Sequence, residues 1–150
     1  MADNINPGIG TKIAVLDDTP STADAQGYEA LTGWDDIGEV TEIGEFGAQH
    51  DVVTHTPLAT GVTAKYHGAL NYGSISIQFA RDATDDGQDE AEAALTSRAR
   101  VSFRVTYGDG SIDYFQGKVM SFTRGVSIGA VVSGTLQVEI ETPIVTVAPT

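Results

Sequence analysis

Strict alternation of apolar and polar residues constrains this chain more than any other feature. In Arg100-Val101-Ser102-Phe103-Arg104-Val105-Thr106-Tyr107 every odd position is apolar or aromatic and every even one polar, the period of a strand with one face in a core and the other in water. Ser74-Ile75-Ser76-Ile77-Gln78-Phe79 and Thr135-Leu136-Gln137-Val138-Glu139-Ile140-Glu141 repeat the pattern, and Ile13 with Val15 gives a shorter instance within residues 11–16. Four strands follow. Tyr107-Gly108-Asp109-Gly110-Ser111 then supplies the Asp-Gly pair of a tight hairpin, because glycine adopts the positive φ such a turn requires. The next strand therefore runs antiparallel. Between residues 112 and 123 the apolar positions change parity, Ile112 and Tyr114 being even but Phe115 and Val119 odd, which predicts a bulge near Tyr114 and Phe115. Residues 125–130 read as a second turn.

One helix is expected, at about residues 87–98. Ala91, Ala94, Leu95 and the stem of Arg98 fall at helical spacing, while Asp89, Glu90 and Glu92 face water. Asp86 caps its first turn, and Arg98 and Arg100 suit the negative end of the helix dipole. The fold class is thus mainly β: two packed antiparallel sheets, as a sandwich or partly closed barrel, with one short flanking helix. At 150 residues it forms a single domain that buries roughly 68–70% of its unfolded surface. Two long loops remain, residues 17–36 and about 46–61, and long loops in compact domains usually have a task. The ends, residues 1–10 and 142–150, carry Pro7, Pro143 and Pro149 and read as flexible arms.

Charge and composition narrow the function. The chain has 21 acidic and 8 basic residues, a net charge of −13, and no cysteine. Thiol catalysis, Cys-ligated metals and disulfides are excluded together. The first 60 residues hold 11 carboxylates and a single lysine, and no window clusters Lys and Arg as phosphate-gripping proteins do. The start, Met1-Ala2-Asp3-Asn4, lacks the basic and apolar segments of a signal peptide, and no run approaches ~18 apolar residues. The expectation is a water-soluble chain made in the cytoplasm.

Catalytic and metal chemistry find little support. His50, Asp51, His55 and His67 offer imidazole and carboxylate ligands, but His50 and His55 lie five apart without helical pattern, and nothing in the sequence draws His67 to them. Solvated or interfacial histidines are expected, with no metal site and no cofactor. Asp82-Ala83-Thr84-Asp85-Asp86-Gly87 begins like a calcium loop, yet Thr84 and Ala93 stand where carboxylates belong, so it reads as a helix cap. Paired carboxylates lack the aromatic platforms of a sugar site, Trp34 being the single tryptophan. Nucleophile, phosphate-loop and dinucleotide motifs are absent. An enzyme is not expected. A structural role fits better, because unblunted strand edges pair with other chains. Ser74–Phe79 and residues 134–138 contain neither Pro nor charge, which suits either an interface edge or a central position in the sheet.

Residues 34–47, Trp34-Asp35-Asp36-Ile37-Gly38-Glu39-Val40-Thr41-Glu42-Ile43-Gly44-Glu45-Phe46-Gly47, resemble the opening of the tail tube proteins of long-tailed bacteriophages and phage-derived particles such as gene transfer agents. The similarity continues through Val52-Val53-Thr54-His55-Thr56, the 82–86 segment with its helix, the 107–110 hairpin, residues 115–119 and the last strand at 134–141, covering about residues 34–142. The order of elements carries it; the family's Asp-x-Thr-Thr start is replaced here by the 52–56 string. The resemblance implies a structural virion protein whose six copies close into a ring, the rings stacking into a tube for DNA ejection. It implies that a loop at about residues 48–61 reaches the neighbouring ring, through Gln49, His50, Val52, Val53, Thr54, His55, Thr56 and Leu58, with the terminal arms assisting. Partners would be further copies of the chain, a tail terminator, a tape measure and baseplate or distal tail proteins, with no membrane. DNA would pass without specific binding, repelled by a negative lumen for which Glu39, Glu42 and Glu45 are the first candidates. Val40 and Ile43, between them, would still face the core. Alternatives are the tube protein of a contractile secretion system and a capsid-decorating or adhesive β module.

Overall fold

The computed structural model describes residues 8–148; of the expected arms at about residues 1–10 and 142–150, residues 1–7 and 149–150 lie outside them. In chain order the elements are β1 (Lys12–Leu16), α1 (Ala25–Glu29), β2 (Asp35–Asp36), β3 (Val40–Ile43), β4 (Gln49–His55), β5 (Ala64–Asn71), β6 (Ser74–Ala80), α2 (Asp86–Ser97), β7 (Val101–Thr106), β8 (Ile112–Gly125), β9 (Ser133–Ile140) and β10 (Val145–Val147). The fold is mainly antiparallel β in two sheets, as the alternation predicts. The larger runs β2-β1-β7-β8-β9-β6-β3, with β10 beside β8, and β4 and β5 form a separate two-stranded ribbon.

The large sheet curls on itself. Strands β2 and β3 stand at its opposite edges, yet residues 37–39 alone separate them in sequence. That connector bonds to both sides: Ile37 N–H donates to Ile13 O at 2.8 Å, and Ala80 N–H donates to Glu39 O at 2.9 Å. Closing a sheet in this way removes most of its open edge. Alternate residues fill the interior, among them Ile13, Val15, Ile75, Ile77, Phe103, Val105, Phe115, Leu136 and Val138, with Phe103 and Phe115 stacked at 5.4 Å. Helix α2 reaches from β1 and β2 across to β8 and buries Ala91 and Ala94 in this core, so it caps one mouth of the barrel. Its first turn lies so close to the connector that a Cβ at Gly87 would meet the carbonyl of Asp36.

Several expectations change. Among the described residues there are two helices rather than one: α1 lies within residues 17–36, expected to be loop. Five residues with one large apolar side chain carry no readable period, but Asp24 caps α1 by accepting from Gly27 N–H at 2.8 Å, and Tyr28 is fully buried. This segment is a packed layer over the outer face of the barrel. Tyr28 stacks on Tyr114 at 5.0 Å, Trp34 meets Tyr114 at 6.0 Å, and Ser102 Oγ donates to Asp18 O at 2.7 Å.

The same layer explains the parity change in β8. Its register with β7 is unbroken from Gly117 to Ile112, so no bulge lies at Tyr114 and Phe115. Both are buried because both faces are covered, Phe115 from inside and Tyr114 from outside. The bulge lies further along, where Val119 pairs with Val138 but Ser121 with Gln137. Met120 is the extra residue and is half exposed, and Phe122 returns to the interior.

Strands β6 and β9, whose lack of Pro and charge left an edge role open, are central: β9 pairs with β8 on one side and β6 on the other, and β6 continues to β3. The C-terminal segment is tied down rather than free, since β10 pairs with the start of β8, Val145 opposite Tyr114. Thr142 is buried and accepts from Gln116 N–H at 2.9 Å. In α2 the cap is Asp85, not Asp86. Arg98 ends the helix in the left-handed region at φ 62° with its side chain exposed instead of packing its stem.

Candidate assembly surface

The segment expected as a loop at about 46–61 is half of a β-ribbon. Strands β4 and β5 pair from Gln49–Asn71 to His55–Ala64 with one irregularity between His50 and Val52. The turn joining them is closed by Gly61 N–H donating to Pro57 O at 2.9 Å and by Thr56 and Thr63 hydroxyls 2.9 Å apart. The ribbon projects from the barrel with every residue of β4 exposed. Gln49, His50, Val52, Val53, Thr54, His55, Thr56 and Leu58, the residues expected to reach a neighbouring ring, therefore all lie on this one exposed finger. Val52 is 68% exposed, and Val53, Leu58, Val62, Tyr66 and Leu70 also face water. A lone two-stranded hairpin is marginal in water, and this one carries a run of apolar side chains that a monomer leaves uncovered.

Glu39, Glu42 and Glu45 are all exposed, and Val40 and Ile43 pack against the core between them. Glu39 has a left-handed φ of 58° at the corner where the connector becomes β3. Among the described residues strand β3 pairs only with β6, and its other side borders the second mouth of the barrel, away from α2. Thr41, Glu42, Ile43, Phe46 and Tyr107 line that opening.

Sequence reasoning missed two parts of this surface and one buried residue behind it. Strand β5 went unnoticed because Ala64-Lys65-Tyr66-His67-Gly68-Ala69 has no period-two pattern. The β8–β9 turn was expected, but not its exposed apolar tip of Val126, Ile128, Val131 and Val132, which the hydropathy of the string could have shown. Gln88, to which the helical pattern assigns no role, is fully buried. Its Nε2 donates to Gly38 O and Ala80 O, both at 3.0 Å, and its Oε1 accepts from Asp82 N–H at 3.0 Å.

Among the described residues no group of three or more His, Asp or Glu is placed to hold a metal. His55 and Asp51 alternate onto the face of the ribbon away from His50, whereas His67 meets His50 with ring centroids 4.8 Å apart. The 82–86 string serves as a cap: Asp82 accepts from Thr84 N–H, and Asp85 accepts from Gln88 N–H at 2.9 Å and Gly38 N–H at 3.0 Å.

Glu90 faces water only in part. Its Oε1 accepts from Asp17 N–H at 2.9 Å, and its Oε2 is buried without a hydrogen-bond partner. Burial, and the Asp35 carboxyl that a proton on Glu90 can bond, push its pKa up to about 7 from an ordinary 4.5. A carboxyl raised on folding holds more protons in the native state, so its contribution is present below pH 4.5 and is lost as pH rises through 7. Allowing for its solvent exposure, Glu90→Gln should remove roughly 1 kcal/mol of the stability change between pH 5 and pH 8. Urea unfolding of both proteins at the two pH values checks this, and parallel pH profiles would assign the slope elsewhere.

The family model described as Lambda phage tail tube protein, TTP, matches residues 20–143. None of the curated proteins compared with the chain matches it. Among solved structures the chain resembles one from the virion of a native gene transfer agent particle, with a TM-score of 0.70 at 17% identity, covering 96% of this chain and 100% of that one. A second, from the tail of an empty particle of this kind determined with C6 symmetry, gives 0.69 at 18% identity with coverage of 96% and 100%. The SPP1 tail tube gives 0.65 at 11% identity, covering 93% of this chain and 78% of that one. Identities this low show a shared fold.

Proposed function

The chain belongs to the lambda phage tail tube protein family, a structural protein and not an enzyme, and on that premise we propose that six copies close into a ring and that rings stack into a tube through which DNA leaves a virion or phage-like particle. The observation that carries this reading is the β4–β5 ribbon, an exposed apolar finger that no other element packs against among the described residues. In the proposed tube it crosses to the next ring, where its side chains leave water, each apolar Å² removed contributing about 25 cal/mol. The C6 symmetry of the gene transfer agent tail supports six as the ring number. A terminator, a tape measure and a baseplate would meet the tube at its ends and along its bore.

Charge gives the conduit its second property. A net charge of −13 per chain, repeated around a ring, repels phosphates within a Debye length of about 8 Å at physiological salt, so DNA slides instead of adhering. Glu39, Glu42 and Glu45 are the proposed lumen charges because all three are exposed and none belongs to the core, Glu42 lining the barrel's opening.

Electron microscopy of the concentrated protein tests the assembly: tubes of uniform bore are expected, rings that do not stack would favour a contractile secretion tube, and a monomer at every concentration would overturn both. Replacing Glu39, Glu42 and Glu45 together with Lys should preserve tubes, since none of them is buried, yet slow DNA delivery by particles carrying the variant. Unchanged delivery would place the lumen charge on other residues.

A further inference from the structure

We propose that His50 and His67 form a binding site for a late first-row divalent metal ion, of the zinc and nickel class, clamped across the two strands of the β4–β5 ribbon. The register places them together. Val52 lies opposite His67, and His50, two residues before Val52, projects from the same face, making the two histidines diagonal cross-strand neighbours. Their rings meet edge to face at 4.8 Å. Both side chains are exposed, so an ion reaches them without unfolding the ribbon.

The backbone also orients one of the ligands. His50 Nδ1 lies 3.5 Å from Gly68 O, the direction in which a metal-bound imidazole commonly turns its second nitrogen toward a carbonyl. With the Nδ1 proton pointing at that carbonyl, Nε2 keeps its lone pair free for a metal. The approach depends on the irregularity beside His50, where β5 carries one more residue than β4 and where a Cβ at Gly68 would come within 2.9 Å of Asp51 O. Two imidazole nitrogens on one tetrahedral ion lie roughly 3.3 Å apart, given metal–nitrogen distances of ~2.0–2.1 Å. Rings already in edge contact reach that spacing by side-chain rotation alone. Water completes the coordination, because Asp51 and His55 project from the opposite face. Lys65, opposite Thr54, is a cation on the same face, and the charge of −13 outweighs it at long range.

Such a site would staple the strands of the element proposed to join rings, making the rigidity of the finger dependent on the ion. Calorimetric titration of the full chain with Zn²⁺, and separately with Ni²⁺, at pH 7.5 tests it. One ion per chain is expected, and binding should fade at pH 5.5 as protons displace the metal. His50→Ala and His67→Ala should each weaken binding by more than about tenfold, while His55→Ala should leave it unchanged; circular dichroism verifies that all three variants fold. Absence of saturable binding at millimolar metal, full binding in either of the first two variants, or its loss in His55→Ala would overturn the site.

Discussion

Excising residues 50–70 and joining Gln49 to Asn71 through an Asn-Gly turn should give a folded protein that forms no tubes. The physical reason is the separation of the chain into two parts. Strands β4 and β5 pack chiefly on each other, and no residue between 50 and 70 belongs to the hydrophobic core or to the side chains packed against it. Gln49 and Asn71 are already paired, so a two-residue turn suited to tight hairpins can bridge them. Close approach just below, where Gly73 sits against the carbonyl of Gly47, holds the stump in place. The barrel should lose less than about 1 kcal/mol, a fall in Tm of roughly 2–4 °C. Assembly should disappear, because the apolar area proposed to join rings goes with the finger. Thermal unfolding and electron microscopy on the same preparation read the two effects separately. Tubes of normal length would show that stacking resides elsewhere, and loss of folding would show that the ribbon braces the barrel.

What could be read from the sequence follows how many faces of each strand are covered. Residues 74–79, 100–107 and 135–141 line the barrel on one side and meet solvent or a polar layer on the other, so their alternation was legible and their strands fell where expected. Where two faces are covered the pattern blurs: Tyr114 and Phe115 are adjacent, both buried, and looked like a bulge. Where neither face is covered among the described residues it vanishes, as in Gln49–His55, which reads as loop because its apolar residues answer to no element but the paired β5. Helix α1 was too short for a period to show. The candidate surface was legible only through its resemblance to a family, which marked 48–61 as a contact segment without revealing its strand or the partner strand that sets His67 against His50. Local turn and cap chemistry came through more clearly. Gly110 takes the positive φ of 95° expected of the Asp-Gly hairpin, and the 82–86 acids cap a helix with an offset of one residue.

Gln88→Leu should produce the largest loss of stability available from one exchange of similar volume, about 3–5 kcal/mol. Leucine can fill the space but cannot replace the amide. The N–H of Asp82 and the carbonyls of Gly38 and Ala80 would lose the partner that now bonds them at 3.0 Å, and each buried polar group left unpaired costs about 1–3 kcal/mol. Arg81 would lose a further contact to the same amide oxygen at 3.2 Å. The position magnifies the effect. Gly38 belongs to the three-residue connector that closes the barrel, and Ala80 ends β6, the strand bonded to that connector's Glu39, so one side chain ties helix, connector and sheet together. Chemical denaturation gives the stability change directly, and the corresponding fall in Tm is on the order of 10 °C. A loss below 1 kcal/mol would mean that the cap at Asp85, which also bonds Gly38 N–H, holds the seam without Gln88.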